Sequence, residues 1–248
     1  MLKEGRKVRV LDTRYGELVD KSNPNLEFVG IDGDALRGGM LNRRLVGESA
    51  RGIDVVYHLA INWDGASWKH ELPIADLFDA NVRGTLNLLD AAKSHHVRHF
   101  IFASSVAVYG RTERTITREP SKKDVKASEE TVCRPELWSG DPGPAYAILK
   151  LTTEKLCLMY YHHHGLPATV FRLEYVFAGE RELQDGANVH VEDVVGALLL
   201  AESNKKAFGE VFNLAYPTPN VSTQKLQSTL GWRPRATEAF LRATESPS

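Results

Sequence analysis

Tyr146 and Lys150 lie four residues apart in a stretch, 146–163, with apolar Leu149, Leu156 and Met159 among its positions. That pattern predicts a helix with both side chains on one face, one turn apart. A free tyrosine ionises at about pH 10 and is a poor base at neutral pH. An ammonium held beside it favours the phenolate and lowers that value, so the pair can exchange a proton with a substrate hydroxyl. The same spacing is common on helix surfaces that do no chemistry, so the neighbours decide. Ser104 and Ser105 directly follow the apolar run 99–103. A parallel sheet presents its site at such a strand end, and a hydroxyl there can hold a substrate oxygen near the tyrosine. A strand-end turn serine is the plainer alternative.

Asp12 closes another short β-branched run, 7–11. A carboxylate there can accept both ribose hydroxyls of an adenosine and repel a 2′-phosphate, or simply cap a loop. Arg14 leaves room for a phosphate-bearing cofactor. Asp34 and Ala35 follow the run 27–31 and are placed to meet an adenine edge. Leu59, Ala60 and Ile61 end the run 54–59, where small apolar groups and backbone can lie against a dinucleotide. Three adjacent histidines, His162, His163 and His164, point in different directions on a helix, so they read as a charged helix end and no metal site is expected. His58 and Cys157 read as core residues.

The elements that must position these groups follow from periodicity. Strands are expected at 7–11, 27–31, 54–59, 99–103, 169–176 and 210–214, and helices at 74–93, 146–163 and 191–203. Strands alternating with helices imply crossovers and a mainly parallel sheet. The polar stretch 111–144 breaks the rhythm and reads as a long surface excursion. The 248 residues carry 31 Lys+Arg against 32 Asp+Glu, so nothing favours nucleic acid or a polybasic membrane contact. Cys133 and Cys157 are too few for a disulfide scaffold, and a reducing, cytoplasmic compartment is expected. No apolar run is long enough to span a membrane, and the N-terminal residues lack the apolar core of a signal peptide.

In order along the chain stand VRVLD at 8–12, GD at 33–34, VVYHLA at 55–60, NVRGTLNLLDAA at 81–92, FIFASSVAVYG at 100–110, YAILK at 146–150, GLPATVFRLEYVF at 165–177, HVEDVV at 190–195 and LGWRP at 230–234. Together these resemble the extended short-chain dehydrogenase/reductase family, and within it the NAD-dependent nucleotide-sugar epimerases and dehydratases. The resemblance covers nearly the whole chain. It implies an α/β, Rossmann-like, doubly wound and mainly parallel sheet, with an NAD-binding domain at 1–178 and a reduced substrate-binding region at 179–248. It implies a catalytic set of Ser105, Tyr146 and Lys150, with Ser105 taken over Ser104 because it lies four residues before Tyr109. Tyr146 and Lys150 would also face the cofactor, Lys150 at the nicotinamide ribose, and Asn81 matches a family asparagine near the site. NAD would take and return a hydride at a carbon of a nucleotide sugar. Family members often dimerise through the helices equivalent to 74–93 and 146–163. A non-catalytic binding relative, and a reductase of a small carbonyl or steroid-like substrate, are the alternatives.

The chain departs from the family pattern in several places. No GxxGxxG turn precedes the run 7–11, and MLKEGRK reads as the tail of a helix. Without the family's first strand, either 7–11 pairs directly with 54–59, the favoured expectation, or a second molecule fills the gap. The stretch 179–188 is short, Tyr175 stands where relatives usually carry asparagine, and Leu149 where they usually carry serine.

Overall fold

The computed structural model describes residues 1–12, 20–30, 39–61, 73–110, 126–140, 143–179, 188–216 and 221–245. These divide into two compact units, one of Met1–Val56 and Ala60–Val97, the other of Tyr57–Leu59 and Arg98–Ser248.

In the first unit, residues 1–5 make a single 3-10 turn, Leu2–Glu4, closed by Gly5 at φ 73°. β1 (Val8–Asp12) and β2 (Leu26–Gly30) are parallel, with Val8 opposite Leu26 and Asp12 opposite Gly30. Asn42 caps α1 (Arg43–Ala50) by accepting the Leu45 N–H. The apolar period expected at 74–93 is one helical run in three pieces: α2 (Ile74–Phe78), a π turn (Asp79–Arg83) and α3 (Gly84–Ser94). A Cβ at Gly84 would lie 2.9 Å from the Met40 Cβ, so glycine lets α3 lie close to the turn at 39–41.

The expected pairing of 7–11 with 54–59 is not what the chain does. Among the described residues β1 pairs with β2, while β3 (Val55–His58) belongs to another sheet. The Arg9 guanidinium donates to the Ser49 and Arg51 carbonyls at the end of α1, at 2.9 and 2.8 Å, and to Glu27 on β2 at 2.7 Å. β1 is thereby fastened to β2 and to the orphan carbonyls of a helix terminus.

The second unit is built on a sheet ordered β3-β4-β5-β8, with β4 (His99–Ser105), β5 (Ala168–Leu173) and β8 (Val211–Leu214). β4 and β5 run parallel, as do β5 and β8. β4 and β5 are buried almost throughout, which is why they read as continuous apolar runs without alternation. Phe100, Phe102, Phe171 and Phe212 form the centre of this core. The expected strand 169–176 breaks at Glu174; β6 (Tyr175–Phe177) pairs instead with β7 (Asn188–His190), also in parallel.

α4 (Pro144–His164) packs on β4 and β5. It starts on a proline, which has no N–H to leave unpaired, and ends on Gly165 at φ 68°. α5 (Val191–Glu202), α6 (Gln224–Leu230) and α7 (Arg235–Glu245) complete the unit. Asp193 of α5 starts α7 by accepting the N–H groups of Ala236 and Thr237 at 3.0 and 2.6 Å, and its own carbonyl accepts from Trp232 Nε1 at 2.9 Å. No helix among the described residues is long and apolar enough to cross a membrane.

Part of the polar excursion is stitched down. Ala127 bridges Val221, the Ser222 N–H donates to the Ala127 carbonyl at 2.9 Å, and residues 135–137 form a 3-10 turn. That turn's approach explains Gly110, which follows the 3-10 turn Val106–Tyr109 at φ 78°. A Cβ there would lie 2.5 Å from the Arg134 carbonyl oxygen. Gly110→Ala is therefore expected to cost about 1–3 kcal/mol in a denaturant titration, from backbone strain and the clash together. An unchanged midpoint would show that this approach does not constrain the fold.

Candidate functional site

β4 ends in Ala103, Ser104 and Ser105, and each meets a different residue of α4. The Ala103 carbonyl accepts from Lys150 Nζ at 2.7 Å. The buried Ser104 hydroxyl donates to Glu154 Oε1 at 2.5 Å. The Ser105 and Tyr146 side chains share a hydrogen bond, and Ser105 Oγ also accepts the Ala107 N–H at 3.2 Å. Ser104 is committed to Glu154, so Ser105 is the serine that meets the tyrosine. Ser105, Tyr146 and Lys150 are thus brought together at the carboxyl edge of a parallel sheet, where such sheets bind ligands.

The electrostatics differ from the expectation for an ammonium beside a phenol. Burial pushes the Tyr146 hydroxyl above its ordinary value, and the Ser105 hydrogen bond only partly offsets this. Lys150 does not lower it, because its ammonium is aimed at the Ala103 carbonyl and sits 5.7 Å from the Tyr146 ring centroid and 5.1 Å from that of Phe102. Burial pushes Lys150 itself down to about 8, opposed by the Glu154 charge. In this state Tyr146 is a protonated phenol. His58, against the Phe100 and Phe102 rings at 5.9 and 5.5 Å, is pushed to about 3 by burial and then by the Lys150 charge. It is a neutral core histidine.

Behind these groups runs a buried polar network that motif reading missed. Arg172 of β5 donates to the Glu154 carboxylate through Nε at 3.1 Å and Nη2 at 2.8 Å, and through Nη1 to the Tyr109 hydroxyl at 2.8 Å. Tyr109 donates to Asn213 Oδ1 of β8 at 2.7 Å, and Asn213 Nδ2 reaches the carbonyls of Ala127 and Ser222 at 3.2 and 3.1 Å. Burial works against the Arg172 cation, but hydrogen bonding and charge from Glu154 outweigh it and keep the guanidinium ionised. Burial raises the Tyr109 hydroxyl to about 12, so it stays a donor. One signal for Glu154 was available: it continues the Tyr146, Lys150 face at the next i+4 position.

The remaining sequence candidates are placed as follows. Asp12 is exposed at the end of β1. Leu59 is 53% exposed just past β3, and Ala60 and Ile61 continue from it. Asn81 sits in the π turn, and its Nδ2 donates to the Leu77 carbonyl at 2.8 Å. Arg14, Asp34 and Ala35 lie outside the described residues. Leu149 is buried and Tyr175 is exposed. His162, His163 and His164 are exposed at the end of α4, and Cys157 is wholly buried. As a donor set, an exposed carboxylate at Asp12 suits ribose hydroxyls, and Leu59 offers an apolar face. Lys150 carries three N–H donors, of which Ala103 takes one. Taken one by one, each of these groups suits one end of a dinucleotide.

Glu174, between β5 and β6, is a second carboxyl the motifs did not flag. Burial raises it from 4.5 to about 8. Below pH 4.5 the folded and unfolded chains both hold this proton. Between 4.5 and about 8 the unfolded chain releases it while the folded chain keeps it, so folding is progressively disfavoured as pH rises. Glu174→Gln removes the titration. Its thermal midpoint should exceed that of the wild type by a margin that is small at pH 4 and grows to pH 8. A margin independent of pH would contradict the burial of this acid.

A profile of the NAD dependent epimerase/dehydratase family matches residues 1–188. The chain is 35% identical over 138 residues to an uncharacterized UDP-glucose epimerase of Bacillus subtilis, covering 55% of this chain and 37% of that protein. It is 24% identical over 126 residues to the GDP-mannose 3,5-epimerase of Arabidopsis thaliana, covering 51% of this chain and 30% of that protein. It therefore spans well under two thirds of the length of these relatives. Among solved structures, a UDP-galactose 4-epimerase superposes with a TM-score of 0.67 at 21% identity, over 94% of this chain and 86% of that one. A mutated uronate dehydrogenase superposes with a TM-score of 0.69 at 22% identity, over 98% and 79%. The fold is the Rossmann-like α/β fold of these proteins, and with its profile match running through β7 to residue 188, this chain belongs to the NAD dependent epimerase/dehydratase family.

Proposed function

We propose that the chain carries the catalytic centre of an NAD-dependent nucleotide-sugar epimerase or dehydratase, with Ser105, Tyr146 and Lys150 as its catalytic residues. The observation that carries this reading is the hydroxyl pair of Ser105 and Tyr146 at the strand edge, with the buried Lys150 one helical turn further along α4. The relatives named UDP-glucose epimerase and GDP-mannose 3,5-epimerase support a nucleotide-sugar substrate. Residues 1–178 would hold the cofactor and 179–248 part of the substrate.

A sugar hydroxyl seated against Ser105 and Tyr146 has a donor and an acceptor on two fixed side chains. Ser105 Oγ is itself oriented by the Ala107 N–H. Tyr146 takes the hydroxyl proton as the carbon is oxidised and gives it back on reduction. Phenolate formation at Tyr146 is favoured by the Ser105 donor, by its place in the first turn of α4, and by the Lys150 ammonium when a ligand draws it from Ala103. NAD, when bound, supplies the hydride acceptor. Tyr146 and Lys150 would lie at its nicotinamide ribose, with Leu59 of the same unit offering an apolar face; the ribose reading of Asp12 belongs to the first unit by itself.

The test is Tyr146→Phe, assayed for conversion of UDP-glucose with added NAD. Turnover should fall by about 10²–10⁴, the usual loss of a general acid–base, with the thermal midpoint little changed. Wild-type turnover in a folded Tyr146→Phe protein would overturn the assignment.

A further inference from the structure

Glu174 is a carboxyl beside this site for which the mechanism above has no use and which, unlike Glu154, has no partner holding it among the described residues. Ser105 of β4 is in register with Leu173 of β5, and Leu173 with Leu214 of β8. Glu174 is the next residue, and its N–H donates to the Leu214 carbonyl at 3.1 Å. It therefore stands at the carboxyl edge of the sheet, one position beyond the partner of Ser105. Its side-chain Oε2 is buried, and among the described residues it has no hydrogen-bond partner. Glu154, the wholly buried carboxyl of this region, shows what a structural acid looks like here: both of its oxygens are held by Arg172, and one also by Ser104. Buried polar atoms in native proteins are overwhelmingly partnered, and an orphan at a ligand-binding edge calls for a partner that arrives with the ligand.

We propose that Glu174 is a substrate-reading residue, whose carboxylic acid hydrogen-bonds a hydroxyl of the glycosyl ring while another ring hydroxyl sits on Ser105 and Tyr146. This rests on the nucleotide-sugar reading above. The chemistry suits a polyol. Burial keeps the group protonated at neutral pH, so it offers one O–H donor and an acceptor oxygen and does not repel a diphosphate. A packing role needs neither feature, since leucine would fill the space with no unpaired oxygen.

Titration calorimetry at pH 7 with UDP-glucose and with UDP separates contact with the sugar from contact with the nucleotide. Wild type should bind UDP-glucose more tightly than UDP. Glu174→Leu should lose about tenfold in UDP-glucose affinity, one hydrogen bond's worth, and leave UDP within about twofold. Glu174→Gln, which keeps a donor and an acceptor, should retain most of the margin. Both variants remove a partly buried acid and are expected to fold, which a thermal melt checks. A Glu174→Leu protein that keeps the UDP-glucose margin, or loses UDP equally, overturns the proposal. A wild type that binds UDP with no preference for UDP-glucose also overturns it while the nucleotide reading stands. A wild type that binds neither overturns both.

Discussion

A carboxylate with no exposed surface has to be paired, and in this protein that requirement falls on Glu154. An ion taken out of water costs several kcal/mol even after relaxation, and only good geometry with further hydrogen bonds repays it. Arg172 meets Glu154 through two nitrogens, and Ser104 adds a third donor. These contacts join α4 to β4 and β5 at one height. Tyr146 and Lys150 lie two turns and one turn earlier on the same helix, and Ser105 follows Ser104. The candidate catalytic groups are therefore placed by a pair that does no chemistry itself. The remaining guanidinium donor extends the constraint through Tyr109 to Asn213, and so to β8 and the stitched part of the excursion. Breaking such a pair from one side leaves an uncompensated buried charge, which makes its members poor candidates for neutral variation.

The same burial sets the resting state of the site. Tyr146 and Lys150 are both shifted toward their neutral forms by desolvation, the one upward and the other down to about 8. Burial thus leaves Tyr146 a protonated phenol beside an ammonium near its transition. The ammonium's bond to the Ala103 carbonyl is its resting position, and a ligand oxygen near Tyr146 would compete for it. Catalytic poise is then a property of the liganded site, in which water is displaced and the charges act at lower dielectric.

Local pattern made much of this legible. The i, i+4 pair at Tyr146 and Lys150, the serines ending an apolar run, and the helical period through 74–94 are all visible in the residues. Contacts between distant segments were not. Glu154 and Arg172 are 18 residues apart on a helix and a strand, and no spacing rule joins them. The break of 169–176 at Glu174 was hidden because TVFRLEYV has no Gly or Pro and reads as one strand. The expected pairing of 7–11 with 54–59 is not formed among the described residues; β1 is held instead to β2 and, through Arg9, to α1, a short and polar helix that periodicity did not reveal. The expected drop in the Tyr146 pKa failed because burial raises it, while the Lys150 ammonium faces the Ala103 carbonyl, and both are tertiary facts.

The most direct measurement is the position of UDP-glucose in a crystal of its complex with the chain. The result expected is a sugar hydroxyl oxygen within about 2.6–3.2 Å of both Ser105 Oγ and Tyr146 Oη, the reach of a general acid–base. A well-ordered UDP-glucose whose ring oxygens all lie beyond hydrogen-bond reach of both residues would contradict the assignment of this strand edge as the reacting centre.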